Sequence, residues 1–141
     1  MNDRYDLQRF VDAQRPVYEQ ALSELRDGHK RTHWMWFIFP QLSGLGHSAM
    51  ASRYAISGEA EALAYLQHPL LGPRLEACTR AMLEHRGQSA QRILGTPDDL
   101  KLHSSLTLFA HVAAPSAPFD EALQAFFEGR PDPASLARLG G

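Results

Sequence analysis

Along most of this chain apolar residues recur every three or four positions, the period of helices with one face turned inward. Leu7, Phe10 and Val11 share a side of a first short helix, with Asp6 ahead of it as a cap. Pro16 restarts the chain into a helix with apolar positions Val17, Ala21, Leu22 and Leu25, and Gly28 is placed to end it. Ser48 predicts a capped helix through Ala55, and Ser57 another through Leu66. Pro69 opens a longer helix striped by Leu71, Leu75, Cys78 and Met82 that closes near Gly87, and Ser89 to Gly95 reads as a short capped one. Thr96-Pro97-Asp98-Asp99 supplies a cap, a proline at the first helical position and two acids facing the positive helix end. Leu102, Leu106, Phe109 and Ala113 form a buried stripe behind it. After Pro115 and Pro118, the residues Phe119, Leu123, Phe126 and Phe127 carry a helix to Gly129, and Asp132-Pro133 begins a last turn through Leu139.

One segment breaks the pattern. Thr32 to Gly46 holds both tryptophans, and its stretch from Trp34 to Pro40 contains no charge. No side of that stretch suits water, so it must be buried. Its aromatics and isoleucine have strand propensity, and period alone does not separate a short buried strand from a buried helix. Thr32 as cap and Pro40 as stop favour a short helix, and a strand without a partner would leave backbone groups unpaired in the core. The expected fold is all-α: a single compact multi-helical domain over residues 1–141, with a short buried central helix.

A chain of 141 residues is the size of one ordinary domain. Its net charge of -2 gives no reason to expect nucleic acid or anionic lipid as a partner. No run approaches the roughly 18 apolar residues that span a bilayer, and the polar start Met1-Asn2-Asp3-Arg4 lacks the core of a secretory signal. A cytoplasmic monomer is expected. Cys78, the single cysteine, excludes an internal disulfide and a cysteine-rich zinc site. His29 and His33 have helical spacing, but Gly28 breaks the helix before them and no carboxylate completes a site. No metal or other cofactor is expected.

Several motifs are specific enough to carry a family resemblance. These are His33-Trp34-Met35-Trp36-Phe37-Ile38-Phe39-Pro40-Gln41, Gly44-Leu45-Gly46-x-Ser48 and Tyr54-Ala55-Ile56. Further along come Ala64-Tyr65-Leu66-x-His68-Pro69-x-Leu71-Gly72-x-Arg74-Leu75, Asp98-x-x-Lys101-Leu102-x-Ser104-Ser105-x-Thr107-Leu108-Phe109, Phe126-Phe127-x-Gly129 and Leu136-x-x-Leu139-Gly140. Together they resemble the bacterial family of unknown function numbered 1810 (DUF1810), from about Tyr5 to Gly141. The resemblance implies a compact multi-helical fold with an unusually short buried central helix, and no established reaction. Some members carry a calpastatin-like label; calpastatin's inhibitory regions are disordered and fold on binding, whereas this chain has the composition of a packed domain.

The polar residues around the apolar block are the candidates for chemistry. His33 and Gln41 bracket it, an imidazole that titrates near neutral pH and an amide that can orient a ligand. Trp34 and Trp36 could wall a planar ligand or could simply fill the core. Gly44-Leu45-Gly46 followed by Ser48 at a helix start could cradle an anion or form a flexible turn. Lys101, Ser104 and Ser105, at i, i+3 and i+4, share a helix face where a lysine beside hydroxyls could take phosphate or carboxylate. The alternative for Lys101 is an ion pair with Asp98. Asp98 and Asp99 point roughly 100° apart on a helix and cannot both flank one bond. Arg53 with Tyr54, and His68 with Arg74, are secondary candidates for anion binding.

The expectation is a pocket beside the central helix for a nucleotide-like or sugar-phosphate-like anion. His33, Trp34, Trp36, Gln41, Ser48, Lys101, Ser104 and Ser105 would form it. A catalytic extension would be N-glycosidic or phosphoester hydrolysis, with His33 or Asp99 as base. The competing expectation is a non-enzymatic protein-interaction or structural module whose polar residues only hold the fold.

Overall fold

The computed structural model describes residues 3–139, and among these every regular element is a helix. They are Gln8–Gln14 (α1), Tyr18–Asp27 (α2), Met35–Ile38 (α3), Ala49–Arg53 (α4), Glu59–Gln67 (α5), Leu71–Leu83 (α6), Ala90–Leu94 (α7), Asp98–Val112 (α8), Phe119–Phe127 (α9) and Pro133–Arg138 (α10). The expected Met1-Asn2 start and the closing Gly140-Gly141 lie outside the described residues. Among the described residues the one extended pairing is a bridge of Leu42 with Ile56, and no helix is long and apolar enough to cross a membrane.

The longest helix, α8, packs against α5, α7, α9 and α10, while α6 packs against α2, α5 and α9. Leu102, Leu106, Leu108 and Phe109 on α8 and Leu71, Leu75, Cys78 and Met82 on α6 are buried in the shared core. The core arises from the helical stripes, because burying one apolar face per helix removes the largest area from water. Burial pushes the Cys78 thiol up to about 12, which leaves it neutral and inert in this stripe.

The punctuation predicted from sequence is partly realised. Gly28 closes α2 in the left-handed region at φ 72°, Ser48 and Ser89 cap α4 and α7, and Asp132 caps α10 ahead of Pro133. Four expected caps act otherwise. Thr96 does not cap α8, because Pro97 occupies the cap position rather than the first helical one and the helix begins at Asp98. Asp6 has φ 52° and leaves the start of α1 to the Asp3 carboxylate, which accepts from the Leu7 and Gln8 N–H groups. Gly58 rather than Ser57 precedes α5, and Ser57 instead donates to Glu61. Thr32 does not cap the central helix: Trp34 occupies that position, and the Thr32 hydroxyl donates to Glu24.

The central helix α3 has only four residues, too few to satisfy its own backbone groups. Distant side chains supply what it lacks. Gln14, buried on α1, donates to the Phe37 carbonyl at 2.7 Å and to the Tyr65 hydroxyl at 3.1 Å, and accepts from Arg74 at 3.3 Å. On the other side, the fully buried Glu24 carboxylate accepts from the Arg31 and Thr32 N–H groups, the Thr32 hydroxyl, the Trp34 indole N–H and the Gln20 amide, all within 2.7–3.0 Å. Burial would raise this carboxyl, but the hydrogen bonds from Gln20, Arg31 and Thr32 outweigh it and hold it down at about 2. Glu24 thus folds the loop from Arg31 to Trp34 around itself and fixes where the aromatic helix enters the core.

Two outcomes follow from this packing. Gly72 opens α6 directly against the Leu66 carbonyl of α5, leaving no room for a Cβ; Gly72→Ala should cost about 2–3 kcal/mol in urea unfolding. Glu24→Gln should cost on the order of 2 kcal/mol at pH 7 by weakening charge-assisted bonds. Because the folded carboxyl lies below its ordinary value of 4.5, its contribution is fully present above that pH and is lost as pH falls toward about 2. Denaturation curves of wild type and Glu24→Gln should therefore converge across that acid window; a gap independent of pH would contradict this role.

Candidate functional site

The loop that Glu24 organises also delivers Lys30 to the start of α8. Lys30 Nζ reaches Asp98 Oδ2 at 3.0 Å, with the lysine side chain 7% exposed, while Lys101 Nζ lies 3.6 Å from Asp98 Oδ1. Each ammonium also rests over an indole face, Lys30 on Trp34 at 5.1 Å and Lys101 on Trp36 at 5.5 Å. One carboxylate is shared by two cations, so the cluster keeps a unit of positive charge. The loosely held, more exposed member of the pair is Lys101.

Lys101 stands where two cavities meet. A narrow slot of about 10 Å3, space for a single water, is lined by Met35, Trp36, Phe39, Tyr54 and the residues it shares with its neighbour. That neighbour is an open cleft of about 350 Å3 lined by Leu45, Pro97, Leu100, His103, Ser104, Asp132 and Ala134. Gln41, Gly46 and Lys101 belong to both. The cleft volume falls within the range of small-molecule sites.

The lining of the cleft is mixed in hydrogen-bonding character. It includes the Lys101 ammonium and the Gln41 amide, whose side chain has no hydrogen-bond partner among the described residues. It also includes Asp132 and His103. Asp132 Oδ2 accepts from Ser104 Oγ at 3.1 Å, Ser135 N at 3.0 Å and Ser135 Oγ at 2.7 Å. Its own N–H donates to Thr107 Oγ1 at 2.9 Å, so the residue clamps α10 onto α8. His103 stacks on Phe127 with ring centroids 4.1 Å apart, and its Nε2 meets the Arg130 carbonyl at 2.7 Å. That nitrogen must donate, which makes Nδ1 of the neutral ring an acceptor.

Trp36, Gln41, Lys101 and Ser104, chosen from sequence, therefore converge on one connected site. The other candidates are placed elsewhere. Trp34 is fully buried, its indole N–H committed to Glu24. His33 is exposed and lies outside the lining of both cavities, as does Asp99, whose Oδ1 is buried without a partner among the described residues. Ser105 turns into the core with its hydroxyl likewise unpaired. Ser48 Oγ accepts from Ala51 N, so it serves as a helix cap. The secondary candidates are engaged in structure: His68 Nδ1 accepts from Leu70 and Leu71, Arg74 lies over Tyr18, and Arg53 lies over Tyr54.

Sequence reasoning does not single out His103, and it takes Asp132 only as a helix start. The one available signal is register. His103 follows Lys101 on α8, and Asp132 caps a helix that the short Gly129–Pro131 connection forces back onto α8. Among the described residues, no three His, Cys, Asp or Glu side chains lie close enough to hold a metal ion.

Comparison with known proteins agrees with this fold. No curated protein matches the chain. The chain is similar to the crystal structure of the conserved hypothetical protein Rv1873 from Mycobacterium tuberculosis, with 52% sequence identity, a TM-score of 0.95 and 99% of each chain covered. The family model described as "Protein of unknown function (DUF1810)" matches residues 4–139, and the chain belongs to that family.

Proposed function

We propose that this protein binds a small anionic molecule, of the nucleotide or sugar-phosphate kind, in the cleft between α8 and the 41–46 turn. The observation that carries the reading is Lys101. Its ammonium is the surplus charge of the Lys30–Asp98–Lys101 cluster, it is only loosely paired at 3.6 Å, and it lines the cleft beside an unpartnered amide. A preorganised cation of this kind loses little freedom on taking an anion, because Trp36 already holds it in place. Ser104, one helical turn further along, lines the same cleft with its hydroxyl hydrogen committed to Asp132 Oδ2.

The reading stops at binding. Hydrolysis with His33 or Asp99 as base finds no support in the lining, since neither residue reaches either cavity. A second reading, a protein-docking face, has one observation in its favour. Leu100 is 60% exposed at the cleft rim, beside Leu45, Pro97 and Ala134.

A titration of 15N-labelled protein with adenosine 5′-monophosphate at millimolar concentration separates these readings. Binding in the cleft should shift the Gln41, Gly46 and Lys101 amides, and Lys101→Ala should weaken affinity about 10- to 100-fold, the worth of one charge-assisted hydrogen bond. If those amides stay unmoved by the nucleotide, by sugar phosphates and by inorganic phosphate, or if Lys101→Ala binds equally well, the proposal fails.

A further inference from the structure

We infer that the ligand is bipolar, an anionic group joined to a hydroxyl- or amine-bearing body, and that Asp132 and His103 read the second part. This rests on the binding role proposed for the cleft and adds to it the class of molecule that fits.

The residues that line the cleft make opposite demands. Lys101 offers only donors. Asp132 offers only acceptors while ionised: Oδ2 is consumed by Ser104 and Ser135, and Oδ1 has no hydrogen-bond partner among the described residues. His103 adds a second acceptor while its ring is neutral, because its Nε2 hydrogen is committed to the Arg130 carbonyl. A ligand that is anionic throughout would meet carboxylate repulsion from Asp132, and an apolar tail over it would leave Asp132 Oδ1 desolvated and unpaired. Vicinal hydroxyls or an amine would satisfy both acceptors. Lys101 and Ser104 sit three residues apart on α8, about one helical turn, and Ser104 holds Asp132, so both demands are presented from one stretch of that helix. A phosphorylated pentose or hexose, or the ribose phosphate of a nucleotide, joins an anion and several donors in one small molecule.

Two probes isolate the hydroxyl contribution without any mutation: ribose 5-phosphate and n-pentyl phosphate, which share a phosphate and five carbons but differ in donors. Both are titrated into the full-length 15N-labelled protein, into Asp132→Asn, which keeps a capping oxygen for α10, and into Lys101→Ala. Ribose 5-phosphate should bind wild type about tenfold tighter than pentyl phosphate. The ratio should fall to about one in Asp132→Asn, and both probes should weaken in Lys101→Ala. Equal affinities, or a preference for the alkyl phosphate, would overturn the bipolar assignment while leaving anion binding at Lys101 intact. Should Asp132→Asn unfold, the wild-type ratio alone decides. If neither probe moves the cleft amides, or if binding ignores Lys101, the underlying reading of the cleft fails, and this inference with it.

Discussion

The buried carboxylate of Glu24 is the constraint on which the rest of this structure depends. A charge taken out of water is costly unless every lone pair is met. Here five donors from Gln20, Arg31, Thr32 and Trp34 meet it. Four of the five come from the connection between α2 and α3. The carboxylate therefore acts as the template of that connection, turning residues with little helical or strand character into a fixed loop. A four-residue helix cannot hold itself together. Gln14 supplies from outside a partner for its Phe37 carbonyl, and Glu24 fixes the loop and the Trp34 indole at its entry.

The same loop sets up the candidate site. With Trp34 pinned by its indole N–H, its face is left for Lys30, and Lys30 then pairs with Asp98 at the first turn of α8. Asp98 cannot fully neutralise Lys101 as well, so Lys101 settles over Trp36 with charge to spare. Structure and site are thus one chain of dependencies, running from a buried acid through two indoles to an exposed cation. Asp132, which also lines the cleft, plays a matching double part. It clamps α10 to α8 with one oxygen, and its other oxygen has no hydrogen-bond partner among the described residues.

Local signals carried much of this into the sequence. Gly28, Ser48, Ser89 and Asp132-Pro133 mark helix ends because their effect acts within a few residues. The uncharged run from Trp34 to Pro40 announces its own burial, and the absence of a strand partner makes it a helix. Trp36 inside that run, Gln41 just after it, and Lys101 and Ser104 on one face of a later helix were legible as candidates from residue type and spacing. What was not legible depends on partners far along the chain. Thr32 looks like a cap until Glu24 is seen to take its hydroxyl, and Asp6 looks like one until Asp3 is seen to do the work. Helical spacing puts Ser104 and Ser105 on one face, yet it cannot say that α10 meets the first while the core meets the second. A carboxylate at Glu24, three residues from Ala21 and adjacent to Leu25 on an otherwise apolar face, was the available hint of a buried acid.

The most direct test of this account is hydrogen exchange at the two indole N–H groups, followed by NMR at neutral pH. If Glu24 anchors the aromatic helix, the Trp34 indole proton should exchange only through global unfolding, orders of magnitude more slowly than that of half-buried Trp36. Comparable, rapid exchange at both indoles would show that the buried carboxylate does not hold the loop, and the chain of dependencies from Glu24 to Lys101 would be broken at its first link.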